Sequence, residues 1–475
     1  MVRTVSYKTF LVSIVATATL SCGFMYAYTS SQEQKRFQAT IETSEKQDEL
    51  GKVHALYQLL QTQYYQKVDS TKLIDGALKG MTAALGDPYT TYLEKSDAED
   101  LSQSLADSFE GIGATLTIVD GLPQISQAPI KESPAEKGGL RAGDFILSVD
   151  GKSTSGKSLT EVVSSIRGKK GTDVALVLQR GTEQYSVTLT RDTIPMTTVT
   201  YSTEKDSPTV GKIVVSTFAE KTASDFQKAI EALRKEGATS FVIDLRQNPG
   251  GLLDQVEKMA SMFLADQKTI LQLEDRTGAI EKVVASHELD QGVKVTEPTV
   301  VLVDKGSASA SEIFAGAVKE SAAIPLVGTK TFGKGTVQTV SQYQDGSEVK
   351  LTIKKWLTPK KEWIHEKGIT PSYEVDYPAF VYATPIPTDT QMQLGLESTG
   401  VKSLNTYLEG LGYQTPGTIY TVATQNAVKD FQQKHHLSVT GMVDKKTAEA
   451  ISQAAAEQLK TSDQMMKKAI DLLKK

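Results

Sequence analysis

A turn of small residues, between an apolar run and an amphipathic run, carries the residues best suited to chemistry. The apolar run, Thr299–Val303, predicts a buried strand, and residues 312–319 predict a helix. Ser307, Ser309 and Ser311 lie between them, where the first N–H groups of the helix are unpaired and its dipole favours negative charge. A serine nucleophile needs this setting because its attack creates an oxyanion. The alternative is a serine that only caps the helix.

A lysine further along the chain is the best candidate for the base that such a serine requires. Lys334 lies between two glycines, and Gln338 follows four residues later, which places both on one face of a helix or, as we expect here, of a strand. Burial favours a neutral amine, and an amide can orient that amine without raising its pKa as a carboxylate would.

His365 is not part of a Ser–His–Asp pattern, because the sequence has no Gly-x-Ser-x-Gly elbow. A Gly-Lys-Gly turn is also typical of phosphate sites, but the P-loop pattern is incomplete. We interpret Lys330 and Lys350 as solvated surface residues.

A second turn offers backbone donors. A buried strand is predicted over residues 241–246, the segment Gln247-Asn248-Pro249-Gly250-Gly251 turns sharply, and residues 252–264 return to helix. From residue 210 this alternation predicts α/β organisation with a site at the strand ends. Glycine allows close backbone approach, so an N–H of this turn could reach an oxyanion; a left-handed turn without a chemical role is the alternative.

Residues 99–192 have the pattern of a small β-rich domain that resembles a PDZ domain. The resemblance is carried by the glycine-rich residues 109–116 and by the run 133–151, which reads Ser-Pro-Ala, then Gly-Leu, Gly-Asp and Val-Asp-Gly. It implies that a glycine-rich loop binds the terminal carboxylate of a peptide, which adds as a strand and presents an apolar last residue. The loop residues are Gly111, Ile112, Gly113 and Ala114. Glycines that serve only a tight turn are the alternative.

Arg167 follows the predicted PDZ helix at residues 159–166. A cation at the end of a helix is stabilised by the helix dipole. The alternative is that Arg167 couples ligand occupancy to the neighbouring domain.

Composition excludes several classes of function. The chain has 475 residues, of which 39% are hydrophobic and 23% charged, so several domains with buried cores are expected. A net charge of −5 without a basic block argues against nucleic acid as a partner. The single cysteine, Cys22, excludes an internal disulfide, and five scattered histidines show no metal-ligand spacing. We therefore expect no metal and no cofactor.

The N-terminal segment has the pattern of a membrane anchor. Arg3 and Lys8 precede the charge-free residues 9–32, which are long enough to cross a bilayer and would leave the rest of the chain outside. A cleaved signal peptide is the alternative, although no small-x-small site follows. Cys22 is not expected to carry lipid, because Thr19 stands where a lipoprotein signal has leucine. The helices predicted near residues 50–64 and 71–85 either pack on the body or form a dimerisation arm.

Residues 71–378 resemble the carboxyl-terminal processing peptidases, also called tail-specific serine proteases. Five motifs occur in the order of that family: residues 80–93, the PDZ pattern, and residues 244–251, 306–312 and 333–338. The resemblance implies that Ser309 is the nucleophile, Lys334 the general base and Gln338 its support. It implies further that the N–H groups of Gly251 and Ala310 form the oxyanion hole. Spacing alone does not choose Ser309 over Ser307 or Ser311.

The downstream segments are more varied. Residues 346–356 and 361–369 have the pattern of strands, and residues 381–394 that of a linker. Residues 395–455 resemble a small peptidoglycan-binding module, but the usual Asp-Gly is replaced around residues 419–421, so a role in packing alone remains open. The amphipathic tail could join a partner copy, lie on a membrane or cap this module.

These observations predict a multidomain α/β and α+β protein, with a PDZ β-barrel-like domain before an α/β serine-protease core. The expected segments are 1–31 (anchor or signal), 32–98 (helical stalk and dimerisation region), 99–192 (PDZ), 193–380 (protease core), 381–394 (linker), 395–455 (peptidoglycan-binding-like module) and 456–475 (amphipathic tail helix). We expect a membrane-anchored, extracytoplasmic bacterial endopeptidase that acts as a homodimer on proteins with free apolar C-termini. A role in envelope or sporulation signalling is implied by the resemblance only. The alternatives are a non-enzymatic, wall-tethered PDZ scaffold and an acyl transferase or esterase with the same dyad.

Overall fold

The computed structural model describes residues 50–474, which divide into two compact units. The first unit contains the described residues up to Lys95 together with residues 340–351, and the second contains residues 96–339 and 352–474. The anchor or signal predicted for residues 1–31 lies outside the described residues. In the part that is described, no helix combines the length and apolar character needed to cross a membrane.

The first unit is built from two helices and a strand pair. Its elements are α1 (Gly51–Gln63), α2 (Ser70–Ala83) and β1 (Thr91–Leu93). Asp69 caps α2 by accepting hydrogen bonds from the N–H groups of Thr71 and Lys72. β1 pairs with the first residues of β18 (Glu348–Leu357), with Thr91 opposite Lys350. Both predicted helices are therefore present in this unit.

The PDZ region begins after α3 (Lys95–Leu105) and is built around a twisted sheet. Its elements are β2 (Ser108–Gly111), β3 (Leu116–Val119), β4 (Leu122–Ile125), α4 (Pro134–Lys137), β5 (Phe145–Val149), β6 (Lys152–Ser153), α5 (Leu159–Ile166), β7 (Asp173–Arg180), β8 (Glu183–Thr190) and β9 (Asp192–Pro195). The main sheet has the order β3-β4-β5-β7-β8, so β3 is an edge strand, and β2 pairs with β9 where the chain enters and leaves. Twelve buried apolar side chains, from Ile112 to Leu189, form a separate core.

The protease core is organised on a six-stranded sheet of order β10-β11-β12-β15-β16-β19. These strands are β10 (Val199–Glu204), β11 (Ser207–Val215), β12 (Ser240–Asp244), β15 (Thr299–Val303), β16 (Leu326–Gly328) and β19 (Tyr373–Glu374). All pairs are parallel except β10 with β11. Every residue of β12 and β15 is buried, which explains their continuous apolar sequences.

Helices cover both faces of this sheet. One face packs on α6 (Thr222–Lys235), α7 (Leu253–Phe263) and α9 (Ala310–Ser321), and it presents Ile243 and Val301. The alternate residues Val242 and Val300 point to the other face, as the period of two in a strand requires. That face packs on the tail helix described below.

A smaller antiparallel group of strands completes the core. β13 (Thr269–Asp275) pairs with β14 (Ile280–Val284) and with the last residues of β18, and β17 (Thr336–Gln342) pairs with β18. The short helix α8 (His287–Asp290) follows β14. Residues 361–369 do not form the strand that we expect from the sequence. Lys361, Glu366 and Gly368 have φ values of 69°, 57° and 68°, so the segment turns repeatedly and cannot pair as a strand.

The C-terminal region is helical, as predicted. After a 3₁₀ turn at Ala379–Tyr382, the helices α10 (Thr399–Gly410), α11 (Val422–Lys434) and α12 (Lys445–Thr461) enclose a core of their own. The tail helix α13 (Gln464–Leu473) buries Met465, Met466 and Ala469 against the valines and leucines of the protease sheet. The tail therefore caps the protease core and not the module that precedes it.

Candidate active site

The three serines of the small-residue turn have different surroundings. Ser307 and Ser311 are fully buried, and their hydroxyls donate to the carbonyls of Leu245 and Asn248 at 2.8 and 2.9 Å. Ser309 is partly exposed and has a φ of 52°, an uncommon value for a residue other than glycine. The structure thus separates one serine with an accessible position from two whose hydroxyls hold the turn together, a distinction that spacing could not make.

The serine turn and the glycine turn are joined because β12 and β15 are adjacent parallel strands. Asp304, at the end of β15, accepts hydrogen bonds from the backbone N–H of Gln247 at 2.9 Å and from its Nε2 at 2.7 Å. The carbonyl of Asn248 accepts from the N–H of Ala308 at 3.0 Å. These hydrogen bonds therefore fix the position of the serine turn relative to the glycine turn.

The glycine turn passes directly against Ser309. A Cβ at Gly250 would lie 2.8 Å from the Cβ of Ser309 and 3.0 Å from the nitrogen of Ala310. Gly250 and Gly251 have φ values of 106° and 144°, and a Cβ at Gly251 would lie 2.2 Å from the carbonyl oxygen of Phe218. These contacts require glycine at both positions.

Two backbone N–H groups beside Ser309 have no acceptor within the described chain. They belong to Gly251 and Ala310, the residues that the family resemblance implies for the oxyanion hole. Ala310 is also the first residue of α9, where the helix dipole favours negative charge. The site can therefore offer donors to an oxygen that becomes negative near Ser309.

A buried carboxylate connects the serine turn to the lysine turn. Glu312 is fully buried, and its Oε2 accepts hydrogen bonds from the N–H of Ser309 at 2.9 Å and of Lys334 at 2.8 Å. Its Oε1 accepts from the Thr331 hydroxyl at 2.6 Å and from the N–H of Gly333 at 2.7 Å. The backbone nitrogens of Ser309 and Lys334 therefore lie within about 6 Å of each other.

The charge state of Glu312 follows from these partners. Burial raises the pKa of the carboxyl, and the hydrogen bonds that it accepts act in the opposite direction. The Thr331 hydroxyl already accepts a hydrogen bond from the N–H of Ile369 at 2.7 Å, so its proton points to Glu312. Four donors surround the two oxygens, and they limit the upward shift of the pKa that burial causes.

Lys334 and Gln338 lie at the start of the β17 hairpin. Lys334 is half-buried and precedes β17 by two residues, so it occupies a turn and not the strand that we expected. Gln338 is within β17, and its Nε2 donates to the hydroxyls of Thr336 at 2.9 Å and Thr352 at 3.2 Å. Of the two other lysines weighed from the sequence, Lys330 is exposed and Lys350 lies in the first unit.

The PDZ loop forms one end of a groove between the edge strand β3 and the helix α5. Gly113 has a φ of 79°, and a Cβ there would lie 2.4 Å from the Cβ of Ser133. The carbonyls of Ile112 and Gly113 accept from Ala135 and Ile130, which holds the loop in place. In residues 50–474 the N–H groups of Gly113 and Ala114 have no protein acceptor. The loop therefore presents donors beside an unpaired strand edge.

Arg191, and not Arg167, has the helix-end role that the sequence suggested for Arg167. The guanidinium of Arg191 donates to the carbonyls of Ile166 at 2.7 Å and Ser165 at 3.3 Å, so this residue stabilises the end of α5. Arg167 instead donates to Gln103 of α3, with its guanidinium 5.2 Å from the ring of Phe109. Arg167 thus connects the glycine loop to the helix that precedes the PDZ region.

Comparisons with known proteins follow the same order of domains. The model of peptidase family S41 matches residues 209–375, and a PDZ domain model matches residues 125–180. A peptidoglycan binding domain model matches residues 391–451, and the model of the N-terminal domain of the activating protease CtpB matches residues 14–97. The carboxy-terminal processing protease CtpA of Bacillus subtilis (strain 168) is 43% identical over 426 residues, which cover 89% of this chain and 90% of that protein. The chain belongs to the carboxy-terminal processing proteases of family S41.

Two further similarities describe this S41 chain. The carboxy-terminal processing protease CtpB of the same organism is 41% identical, over 86% of this chain and 85% of that protein. A solved photosystem II D1 C-terminal processing protease is 29% identical, with a TM-score of 0.41, over 72% of this chain and 93% of that one. The family models and the matches to CtpA and CtpB show a carboxy-terminal processing serine protease with a PDZ domain, which confirms the family recognised from the motifs.

Sequence reasoning missed Glu312 and Asp304. Glu312 follows the serine turn in the family motif, but we had interpreted it only as the start of a helix. Its contacts with residues 331–334 are tertiary, so no local sequence pattern predicts them. The one available signal was that a carboxylate and three serines share a segment that is otherwise apolar and small.

Proposed function

We propose that this S41 protease is an endopeptidase that captures the free, apolar C-terminus of a protein and cleaves it with Ser309, Lys334 and Gln338. One observation carries the proposal: Glu312 ties the backbone of Ser309 to that of Lys334, beside two N–H groups without protein acceptors. A nucleophile, a base and oxyanion donors are thereby gathered at one edge of the core.

In the first step, the Ser309 Oγ attacks the scissile carbonyl carbon and its proton passes to the neutral amine of Lys334. The carbonyl oxygen becomes an oxyanion, which the N–H groups of Gly251 and Ala310 stabilise. The ammonium of Lys334 then gives its proton to the departing amine, the C–N bond breaks, and an acyl-enzyme remains. Water, deprotonated by Lys334, attacks the ester and releases the acid product and Ser309.

Gln338 orients the lysine in this mechanism. Its Nε2 is used by Thr336 and Thr352, which fixes the amide plane and leaves Oε1 as the acceptor for the Lys334 amine. Because an amide carries no charge, it positions the amine without stabilising the ammonium as strongly as a carboxylate would.

The PDZ groove selects the substrate in this proposal. A terminal carboxylate binds the N–H groups at Gly111, Ile112, Gly113 and Ala114, and the peptide extends along the free edge of β3. Arg167 couples occupancy to the core, because its partner Gln103 lies on α3, and Leu105 at the end of α3 accepts from the N–H of Glu220 at 3.2 Å.

The decisive experiment uses the purified full chain and an unfolded substrate that ends in apolar residues. We expect cleavage by the parent protein and loss of cleavage in Ser309→Ala and in Lys334→Ala. Ser311→Ala is the matched control, since it removes a hydroxyl two residues away that already binds a carbonyl. An amidated C-terminus should slow cleavage because it removes the anion that the PDZ loop binds.

The same experiment separates the alternatives. A non-enzymatic scaffold would bind the substrate equally in the parent and in Ser309→Ala, and neither would cleave it. An esterase or acyl transferase would turn over small esters whether or not a free carboxyl terminus is present. A protein that remains fully active as Lys334→Ala would contradict the proposed base.

We further propose that the protein acts outside the cytoplasm as a membrane-anchored homodimer that contacts peptidoglycan. The support for a dimer is the apolar surface of the first unit. The exposed apolar side chains of this unit include Leu50, Val53, Leu56, Ile74, Met81 and Leu85. Light scattering should give the molar mass of a dimer for the parent protein and of a monomer for Leu56→Asp. The control Glu99→Gln should keep the molar mass of the dimer. Cell fractionation and pelleting with purified cell walls test the other two parts.

A further inference from the structure

The chain has two tryptophans, and both bind the backbone of the lysine turn. The indole Nε1 of Trp356 donates to the carbonyl of Lys334 at 2.8 Å. The indole Nε1 of Trp363 donates to the carbonyl of Gly335 at 2.9 Å. The two consecutive carbonyls are therefore held by two indoles, one from β18 and one from the segment that follows it.

Trp356 is the rigid member of this pair. It is 1% exposed, it lies in β18, and its own backbone N–H donates to the carbonyl of Gly335 at 3.1 Å. The carbonyl of Gly335 thus accepts two hydrogen bonds, one from each tryptophan.

Trp363 is supported by a stack. Its ring lies 5.0 Å from the ring of His365 with an angle of 13° between the planes, and the Nζ of Lys355 lies 4.8 Å from the indole centroid. The Nδ1 of His365 accepts a hydrogen bond from the N–H of Gly335 at 3.3 Å. The loop that was expected to be a strand therefore encloses Gly335 from both sides of its peptide unit.

The fit at Gly335 leaves no room for a side chain. A Cβ there would lie 2.8 Å from both the Nε1 of Trp363 and the backbone nitrogen of His365. The close approach of two aromatic residues explains the second glycine of the Gly-Lys-Gly motif without any phosphate.

We propose that Trp356, Trp363 and His365 are positioning residues that hold the Lys334 turn so that its amine meets Ser309. The proposal rests on the proposed function, in which Lys334 is the base. Glu312 fixes the N–H of Lys334, and Trp356 fixes its carbonyl, so both sides of this residue are anchored. A lysine side chain has four rotatable bonds, and anchoring its backbone limits where the amine can reach.

The alternative is that these aromatic residues only fill the core. Core filling predicts that their substitution lowers thermal stability while kcat well below the melting temperature stays unchanged. Positioning predicts that kcat falls while KM stays unchanged, because the PDZ groove binds substrate elsewhere. The two roles therefore differ in a quantity that can be measured.

The test compares substitutions that remove single hydrogen bonds from the full chain. Trp363→Phe deletes the donor to Gly335 but keeps an aromatic ring for His365 and Lys355. Trp363 is 37% exposed, so this variant is expected to fold. Tyr420→Phe is the matched control, since it deletes a hydrogen bond of 2.9 Å from a fully buried ring to the carbonyl of Gly441 in the C-terminal region. We expect a fall of about tenfold in kcat for Trp363→Phe and no change for Tyr420→Phe.

A second part of the test compares two substitutions of His365. His365→Asn places an oxygen near the position of Nδ1 and can still accept from Gly335, whereas His365→Ala cannot. We expect kcat to be at least a few-fold higher in His365→Asn than in His365→Ala. Equal loss in both variants would overturn the role of His365.

Tryptophan fluorescence reports on the contacts between the two indoles and the lysine turn. Because both tryptophans contact the lysine turn, any change in this turn should alter the emission of the whole chain. We expect Glu312→Gln to shift the emission of the folded protein, and Tyr420→Phe to leave it unchanged. An unshifted spectrum, or a wild-type kcat in Trp363→Phe, would overturn the proposal.

Failure of this proposal is distinguishable from failure of the proposed function. If Lys334→Ala remains active, Lys334 is not the base and the proposed mechanism falls. If Lys334→Ala is inactive while Trp363→Phe keeps full kcat, the proposed mechanism stands and only the positioning role is overturned.

Discussion

Three serines two residues apart share one turn but not one environment. The hydroxyl of Ser307 is buried, donates to Leu245 and accepts from the N–H of Asp304 at 2.9 Å. Ser309 differs from both neighbours, since it is partly exposed and its backbone has a positive φ. Ser307 and Ser311 therefore stabilise the turn through buried hydrogen bonds, and the proposed nucleophile Ser309 lies between them.

The flanking serines should therefore affect stability more than chemistry. Ser307→Ala leaves the buried N–H of Asp304 without its acceptor and removes one of two hydrogen bonds to the carbonyl of Leu245, so we expect a loss of about 1–3 kcal/mol in the free energy of unfolding. Urea denaturation measures this loss, and peptidase activity below the transition should remain. Complete inactivity in a folded Ser307→Ala protein would contradict the assignment of Ser309.

Glu312 should be far less tolerant of an isosteric change. In Glu312→Gln the amide nitrogen replaces one carboxylate oxygen and faces N–H donors, which would separate the serine turn from the lysine turn. We expect kcat to fall about a hundredfold.

The matched control is Glu297→Gln, at a partly buried carboxylate that pairs with Arg234 at 2.7 Å outside the site. Kinetics with one peptide substrate measure both variants. Wild-type kcat in Glu312→Gln would show that the carboxylate does not hold the two turns together.

Glu257 gives the molecule a stability that depends on pH. Burial, together with Asp254 and Glu281, raises the pKa of this carboxyl to about 7. Between the usual pKa of glutamate and 7, the unfolded chain is ionised while the folded protein binds a proton, so stability falls as the pH rises through this window.

Glu257→Gln should accordingly stabilise the protein at pH 8. We expect about 1–2 kcal/mol, a value that allows for the partial exposure of the side chain. The gain should shrink as the pH falls toward 5, and denaturation at several pH values measures it. The exposed Glu288→Gln is the control, and equal gains at pH 5 and pH 8 would contradict the raised pKa.

At the scale of elements, continuous apolar runs and capped helices were predictable. The strand at Thr299–Val303 and the PDZ helix at Leu159–Ile166 have the predicted bounds. The backbone of residues 361–369 was not predictable, because it is set by contacts with residues 331–335 and not by a local pattern. Lys334 was placed in a strand for the same reason, since tertiary hydrogen bonds decide where β17 begins.

The amphipathic sequence of the tail helix does not determine which surface its apolar face covers. The sequence of α13 was compatible with a partner copy, a membrane or a cap, and only the structure shows the surface that it covers. Its apolar side meets Val242, Val300 and Leu302, and Asp463 at its start pairs with Arg246 at 2.7 Å. α13 is therefore a layer of the protease core.

Removing one contact of this layer should weaken the protease core specifically. Met466 is 5% exposed, so we expect Met466→Ala to lower the free energy of unfolding by about 2–4 kcal/mol. Both tryptophans lie in the protease core, so tryptophan fluorescence in urea follows that core. Val439→Ala, at an exposed position of the C-terminal region, is the control and should leave the midpoint unchanged. An unchanged midpoint in Met466→Ala would show that α13 does not stabilise the sheet.

At the scale of the whole molecule, the predictable part of the site was the part carried by motifs. Ser309, Lys334, Gly251 and Gln338 stand in segments that resemble a known family, so the amino-acid sequence was enough to suggest their roles. Trp356 and Trp363 could not be assigned in this way, because an isolated tryptophan has no local signature and its function here depends on which carbonyl its N–H meets.

A substitution in the PDZ loop should change the affinity for peptide. Gly113→Ala combines an unfavourable φ with a contact of 2.4 Å, so we expect the affinity for an apolar-tailed peptide to fall at least about tenfold. Fluorescence anisotropy with a labelled peptide measures this affinity. Gly121→Asn is the control, because Gly121 also has a positive φ but no atom within 4 Å of a Cβ. Unchanged binding in Gly113→Ala would contradict the assignment of the carboxylate loop.

The position of α13 has a consequence for biosynthesis. The catalytic sheet is translated well before the helix that covers its second face, and the module containing α10, α11 and α12 comes between them. A nascent chain thus carries every residue of the proposed dyad while one side of its sheet is still bare. The second face of the catalytic sheet can therefore be covered only after the segment that contains α10, α11 and α12 has been synthesised.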